Sequence, residues 1–231
     1  MGRNGGYIGY DATPDFGKSF SGVRGLHEVY IFRKRVGLST FTDDFNRTTL
    51  GPNWTEVHLD GSGSVTLDGA AVTVSGSASG DFWVNSDGGS MIYRPFGPGD
   101  VHEAIVKVTT TGLEGWSRLL MARASAAANA AFAAAHIAGN TNSITPVWRL
   151  NTGATASFNE QGTVAYDASL PLWVRGRYAG GVLQFWTSTD GSSGPWASAG
   201  TVTIAGLTMW CLCDSQHGAA TTYDDWLQYD Y

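Results

Sequence analysis

From Thr40 onward apolar and polar residues alternate in short runs, and each run is closed by a turn signal. Phe41-Thr-Asp-Asp-Phe45 alternates, and Val65-Thr-Leu67 leads through Asp68-Gly69 into Ala70-Ala-Val72-Thr-Val74. A period of two places successive side chains on opposite faces of a strand. Asp-Gly between two such runs is a strong short-range hairpin signal, here joining strands at 64–67 and 70–74. Further strands are predicted at 82–85, 90–94, 101–109, 117–123, 172–179, 182–189, 207–213 and 222–230. Asp87-Gly88-Gly89, Gly97-Pro98-Gly99, Gly180-Gly181 and Asp190-Gly191 punctuate them. Many short strands between glycine turns predict an all-β sandwich or barrel.

Two stretches break the alternation. Residues 122–138, ARASAAANAAFAAAHIA, are dominated by alanine, whose propensity favours helix. A helix whose apolar residues are nearly all alanine has little to bury. Asn129 suits a turn, and Phe132, Ala134 and His136 would then share one strand face. The segment is therefore read as strand–turn–strand. Residues 1–20 are glycine-rich and aperiodic, which leaves them unable to bury a core. Residues 21–36 place Val23, Leu26 and Tyr30 at helical spacing between Ser21 as cap and Gly37 as stop. Val29-Tyr30-Ile31-Phe32 is also a β-rich run, so a short helix is preferred while a strand stays open. The chain thus divides into an extended N-terminal arm, residues 1–38, and a β-sandwich, residues 39–231.

Charge sharpens that division. The arm holds six basic and three acidic residues, a net charge of +3, against eight basic and seventeen acidic in the remainder, −9. Asymmetry of this kind assigns the basic arm a separate task, and an acidic body is a poor partner for a phosphate backbone. No apolar run approaches the ~18 residues that span a bilayer. MGRNGGYIGYDATPDFG has no apolar core of the signal-peptide kind. Cys211 and Cys213, the only cysteines, share a strand face and read as two reduced, packed thiols.

Candidate chemistry is sparse. Sandwich glycosidases of the laminarinase type carry Glu-x-Asp-x-x-Glu on one strand, and no such motif occurs. There is no Gly-x-Ser-x-Gly elbow, no phosphate-binding loop and no His-x-x-x-His spacing. Two acidic pairs, Asp43-Asp44 and Asp224-Asp225, stand at opposite ends of the body. First and last strands often pair in a sandwich, and converging carboxylates would suit calcium. The plainer reading is one solvent-facing and one turn-capping aspartate in each pair, and apart from that calcium no cofactor is expected. Of nine tryptophans, Trp173, Trp186, Trp210 and Trp226 sit in apolar strand contexts and read as core. Trp83, Trp116, Trp148 and Trp196 lie near turns and, with Tyr166, are the candidate sugar-stacking residues.

The body resembles the concanavalin A-like lectin/glucanase superfamily, in the divergent form met in phage tail proteins. Phe41-Thr-Asp-Asp-Phe-Asn-Arg47 with Leu50-Gly-Pro-Asn-Trp54 resembles its opening motif. Leu172-Trp-Val-Arg-Gly-Arg-Tyr178, Val182-Leu-Gln-Phe-Trp-Thr-Ser-Thr-Asp-Gly191 and Trp196 resemble its late hairpin, and Tyr223-Asp-Asp-Trp226 its last strand. The arm resembles a leader of tailed-phage structural proteins through Gly5-Gly-Tyr-Ile-Gly9, Ser21-Gly-Val-Arg-Gly-Leu-His-Glu28 and the basic run Arg33-Lys34-Arg35. Arg24-Gly25 stands where that leader usually has Trp-Ser. These resemblances imply a jelly-roll sandwich in a non-catalytic virion protein. Tail fibre or baseplate is preferred over capsid surface, and a host surface glycan is the ligand. Tyr7, Phe16, Phe20, Leu26, Tyr30, Arg33, Lys34 and Arg35 would dock the arm on other virion proteins, in a homo-oligomer within the particle. Capsid decoration is one alternative. A carbohydrate-binding or polysaccharide-degrading protein is the other.

Overall fold

A computed structural model describes residues 39–59, 61, 63–76, 87–110, 118–138, 143–158, 164–165, 171–214 and 220–231. These residues all belong to one unit of the chain, residues 37–231. The residues expected to dock the arm, the helix or strand expected within 21–36, the strand expected at 82–85, and Trp83, Trp116 and Tyr166 lie outside the described residues.

The described residues form an all-β sandwich without a helix. In chain order the strands are β1 Ser39–Asp43, β2 Thr55–His58, β3 Ser64–Leu67, β4 Val72–Ser75, β5 Ser90–Pro95, β6 Val101–Thr110, β7 Arg118–Arg123 and β8 Phe132–Ala138. They continue with β9 Ser143–Arg149, β10 Ser157–Phe158, β11 Val164–Ala165, β12 Leu172–Ala179, β13 Val182–Ser188, β14 Ala197–Thr203, β15 Met209–Asp214 and β16 Ala220–Asp230. The first sheet runs β14-β13-β12-β6-β16-β4-β3, with β1 also paired to β16. The second runs β10-β9-β8-β7-β15-β5-β2, with β11 on β9. The last strand is therefore internal to the first sheet, and the first strand closes against it.

Local chemistry accounts for several boundaries. The β3–β4 hairpin pairs Leu67 with Val72. Its turn is held by Asp68 Oδ1, which accepts the Ala70 and Ala71 N–H groups at 3.0 Å each. Gly69 takes φ +93°, a conformation that favours glycine. The alanine-rich segment forms β7, a connection over 124–131 and β8, as the strand–turn–strand reading requires. Burial on both faces overrides helix propensity here, because Ala133, Ala134 and Ala135 are all fully buried.

The main core lies between the sheets. Val72, Val106, Val174 and Phe185 of the first meet Ile92, Leu120, Trp210 and Leu212 of the second. The Trp210 ring lies so close to Gly176 that a Cβ there would sit 2.8 Å from it, so the β12 core face must narrow at that point. Trp210 and Trp226 are buried, as expected. Trp173 and Trp186 are not core: they occupy the half-buried outward positions of β12 and β13, between Leu172, Val174, Leu183 and Phe185, which point inward. Cys211 and Cys213 are buried and form no disulfide, and burial pushes the Cys211 thiol up to about 12.

The other face of the second sheet is buried as well. Met121, Phe132, Val147 and Cys211 form a second apolar cluster there. Beside it Asp87 pairs with Arg123 at 2.8 Å and with Arg149, and all three side chains are fully buried. Arg123 also donates to the Ala127 carbonyl at 2.7 Å and Arg149 to the Ala154 carbonyl at 2.7 Å, which pins both flanking loops to the sheet. Burial raises the Asp87 carboxyl above its ordinary range, and the two guanidiniums pull against that rise. Replacing Asp87 with Asn removes the only charge described between two buried cations. We expect D87N to lose about 3–5 kcal/mol of unfolding free energy, measured by urea denaturation at pH 7.

Candidate functional site

The corner where β1 meets β16 is organised by one carboxylate. Asp43 ends β1, and Phe45 then takes φ +51°, which turns its ring into the core. Asp43 Oδ1 accepts the Phe45 N–H at 2.9 Å and Arg47 Nη1 at 2.6 Å. Oδ2 accepts Arg47 Nη2 at 2.7 Å and the Trp54 indole N–H at 2.8 Å. The Arg47 fork thus engages both oxygens, the strong form of a charge-assisted pair. Trp54, oriented by this bond, packs edge-on against Trp226 at 5.0 Å and beside Phe45 at 5.5 Å. Burial alone would raise the Asp43 carboxyl. Its bonds from Arg47, Phe45 and Trp54 outweigh burial and hold it below the usual carboxylate range.

The two acidic pairs do meet at this corner, because β1 and β16 pair with Asp43 opposite Trp226. Asp225 sits in a register shift of β16 with φ +43°. Lys107 Nζ pairs with Asp224 at 2.9 Å and with Asp225 at 3.6 Å. Exposed Asp44 accepts the Asn46 N–H at 3.1 Å and caps the turn. Asp43 and Asp224 are thus matched with Arg47 and Lys107 rather than with one another. Among the described residues no group of three or more His, Cys, Asp or Glu side chains could hold a metal ion.

An open cleft of about 620 Å³ lies at the same corner. Asp44 and Asn53 border it from the opening segment, Asp225 and Leu227 from β16, Trp173 from β12, and Ser192 from the β13–β14 connection. It sets an aromatic ring beside carboxylates, an amide and a hydroxyl in a mainly polar lining. A second cleft, about 330 Å³, is bordered by Thr187, Ser188, Asp190, Pro195 and Trp196. Near Trp196, Arg175 stands 5.0 Å from the Trp186 ring centre and 5.9 Å from that of Trp196, and its guanidinium is tied to Glu103 at 2.7 Å.

Trp196 therefore borders a cleft, whereas Trp148 packs against the core from β9, opposite Ala133. Trp173, read from sequence as core, proves to be the aromatic wall of the larger cleft. The signal for it was present. In Leu172-Trp-Val-Arg-Gly-Arg the small and aliphatic residues alternate with Trp173, Arg175 and Arg177, and only one of these two sets suits a core.

No protein-family model and no curated protein sequence matches the chain. Solved structures do. A mutant of the GH43 protein BlXynB from Bacillus licheniformis is similar with TM-score 0.64 at 18% identity, over 82% of this chain and 39% of that one. A xylan β-1,4-xylosidase from Bacillus halodurans gives 0.59 at 11%, over 82% and 39%. Lectin I from Ulex europaeus, solved with the methyl glycoside of α-L-fucose, gives 0.53 at 8%, over 83% and 97%. The fold is a concanavalin A-like, lectin-type β-sandwich. The chain spans about two-fifths of the length of the two Bacillus proteins.

Two sequence-based expectations are corrected by these neighbours. They are GH43 proteins and a lectin rather than phage structural proteins, so the virion-structural reading yields to its carbohydrate-binding or carbohydrate-degrading alternative. With several GH43 proteins among the neighbours, the exclusion of catalysis no longer stands either.

The corner itself makes a pH prediction. A carboxyl held low in the folded state contributes stability above its unfolded value of ~3.9, and that contribution is lost as pH falls through the folded value. Asp43→Asn should therefore cost roughly 1.5–3 kcal/mol at pH 7, the scale of a hydrogen bond to a charged group. The cost should shrink as the pH of thermal unfolding is lowered below about 4.

Proposed function

We propose that the sandwich recognises carbohydrate, the step that binding and degradation share, and that the ligand enters the cleft between Asp44, Asp225 and Trp173. The observation that carries this reading is the composition of that cleft. The half-exposed indole of Trp173 presents an apolar surface suited to the C–H face of a sugar ring. Asp44, Asp225 and Asn53 supply acceptors and an amide for its hydroxyls. The neighbours support the same class: one is a xylan xylosidase, and another is a lectin solved with a fucoside.

The test is binding of the full chain to soluble xylan, xylo-oligosaccharides and methyl α-L-fucoside, read by calorimetry. We expect saturable binding to at least one of them. Trp173→Ala should weaken it about tenfold, equivalent to roughly 1.4 kcal/mol. Absence of binding to all three, with the protein folded, would count against recognition. A reducing-end assay on the same substrates reads degradation. Glycoside hydrolysis needs two carboxyls across the scissile bond, and Asp44 and Asp225 are the pair this cleft offers. Release of sugar by the wild type that is lost in D44N and D225N would assign it that chemistry.

A further inference from the structure

We infer that the outward face of β12 and β13, continued to the start of β14, is a linear stacking surface for an extended, neutral polysaccharide, with Trp173, Trp186 and Trp196 as successive platforms. This rests on the carbohydrate reading above and extends it from one cleft to a track.

The register places the three rings in a row. Trp173 lies opposite Ser188 and Arg175 opposite Trp186, so Trp173 and Trp186 are diagonal neighbours on one face of adjacent strands. Such neighbours stand about 7–8 Å apart, within reach of large aromatic side chains. Trp186 in turn pairs with Ser198, and Trp196 precedes that residue by two, just before β14 begins. Each tryptophan is thus one strand further across the sheet. All three keep part of their surface in solvent, unlike Trp210 and Trp226 in the core. Trp173 borders the larger cleft and Trp196 the smaller.

Arg175 organises the middle of the row. Glu103 holds its guanidinium at 2.7 Å, and from there it contacts both the Trp186 and Trp196 rings. Rings fixed before the ligand arrives lose less freedom on binding. A single monosaccharide cleft would have no use for two further aromatic rings held in this way.

Charge selects the class of polymer. On this face Glu103 matches Arg175, and Asp224 and Asp225 match Lys107, while Arg177 lies opposite Gln184, one same-face position along from Trp186. The polar positions next to the rings, Gln184, Ser198 and Thr201, are neutral, and residues 39–231 carry −9. An anionic glycan would meet the net negative charge of the body, which Arg177 alone does little to offset, and this favours a neutral chain.

The experiment measures affinity of the full chain for a xylo-oligosaccharide ladder from disaccharide to hexasaccharide, with polygalacturonate as the anionic probe. We expect affinity to rise at least about tenfold along the ladder, one decade for roughly 1.4 kcal/mol, and polygalacturonate not to bind. A W186A/W196A double variant should lose that gain, and W186F/W196F should restore part of it. Near-ultraviolet dichroism of each variant verifies the fold. Affinity independent of length, or a length gain untouched by the double variant, overturns the track and leaves recognition at the Trp173 cleft intact. Tighter binding of polygalacturonate than of the hexasaccharide overturns the neutral class. If no oligosaccharide binds at all, the recognition reading falls, and the track falls with it.

Discussion

The closure of the sandwich depends on the carboxylate of Asp43. Its two oxygens collect the Arg47 guanidinium, the Trp54 indole N–H and the Phe45 N–H, which come from three different points of the opening segment. Without that acceptor, an indole N–H and a guanidinium in a partly buried corner would lose their partner, at a cost exceeding that of an ordinary hydrogen bond. The consequence is topological. Trp54 closes the end of the core against Trp226, and the Arg94 guanidinium from the second sheet lies 3.8 Å over the Phe41 ring. Through Trp54, one acidic side chain therefore braces the first strand against the last.

The two sheets differ in what their outer faces carry. Beyond the second sheet lie a buried apolar cluster and a buried Arg–Asp–Arg group, which leave no accessible surface at those residues. The first sheet turns Trp173, Trp186, Arg175 and their neighbours toward solvent. Surface suited to a ligand is thus found, among the described residues, on the first sheet and at its corner. The corner that Asp43 holds is also the wall of the larger cleft, so the interaction that closes the fold shapes the candidate site.

A lectin-type sandwich hosts binding and hydrolysis alike, and fold by itself does not choose between them. The expectation of a non-catalytic virion protein rested on an N-terminal leader resemblance and on the lack of a one-strand acidic motif. The missing motif does not exclude a pair of carboxylates. Asp44 and Asp225 reach the same cleft from opposite ends of the chain, because β1 pairs with β16. A motif search along one strand cannot see carboxylates that only strand pairing brings together.

Much was legible along the chain. Alternation marked many of the strands, though not β2, β9, β10, β11 or β14; Asp68-Gly69 marked its hairpin, and the sandwich reading anticipated that first and last strands would meet. Even the alanine-rich segment yielded to the argument that a helix of alanines has little to bury. What the sequence could not decide was which face of each strand became core. A period of two declares that two faces exist, but burial is conferred by the opposing layer. On β12 the Trp210 ring from the second sheet occupies the space over Gly176, and this commits Leu172, Val174 and Gly176 inward. Trp173 and Arg175 are thereby turned outward, and with them the cleft wall and the row of rings. That assignment resides in the packing of two sheets distant in sequence, and so only the tertiary structure could make it.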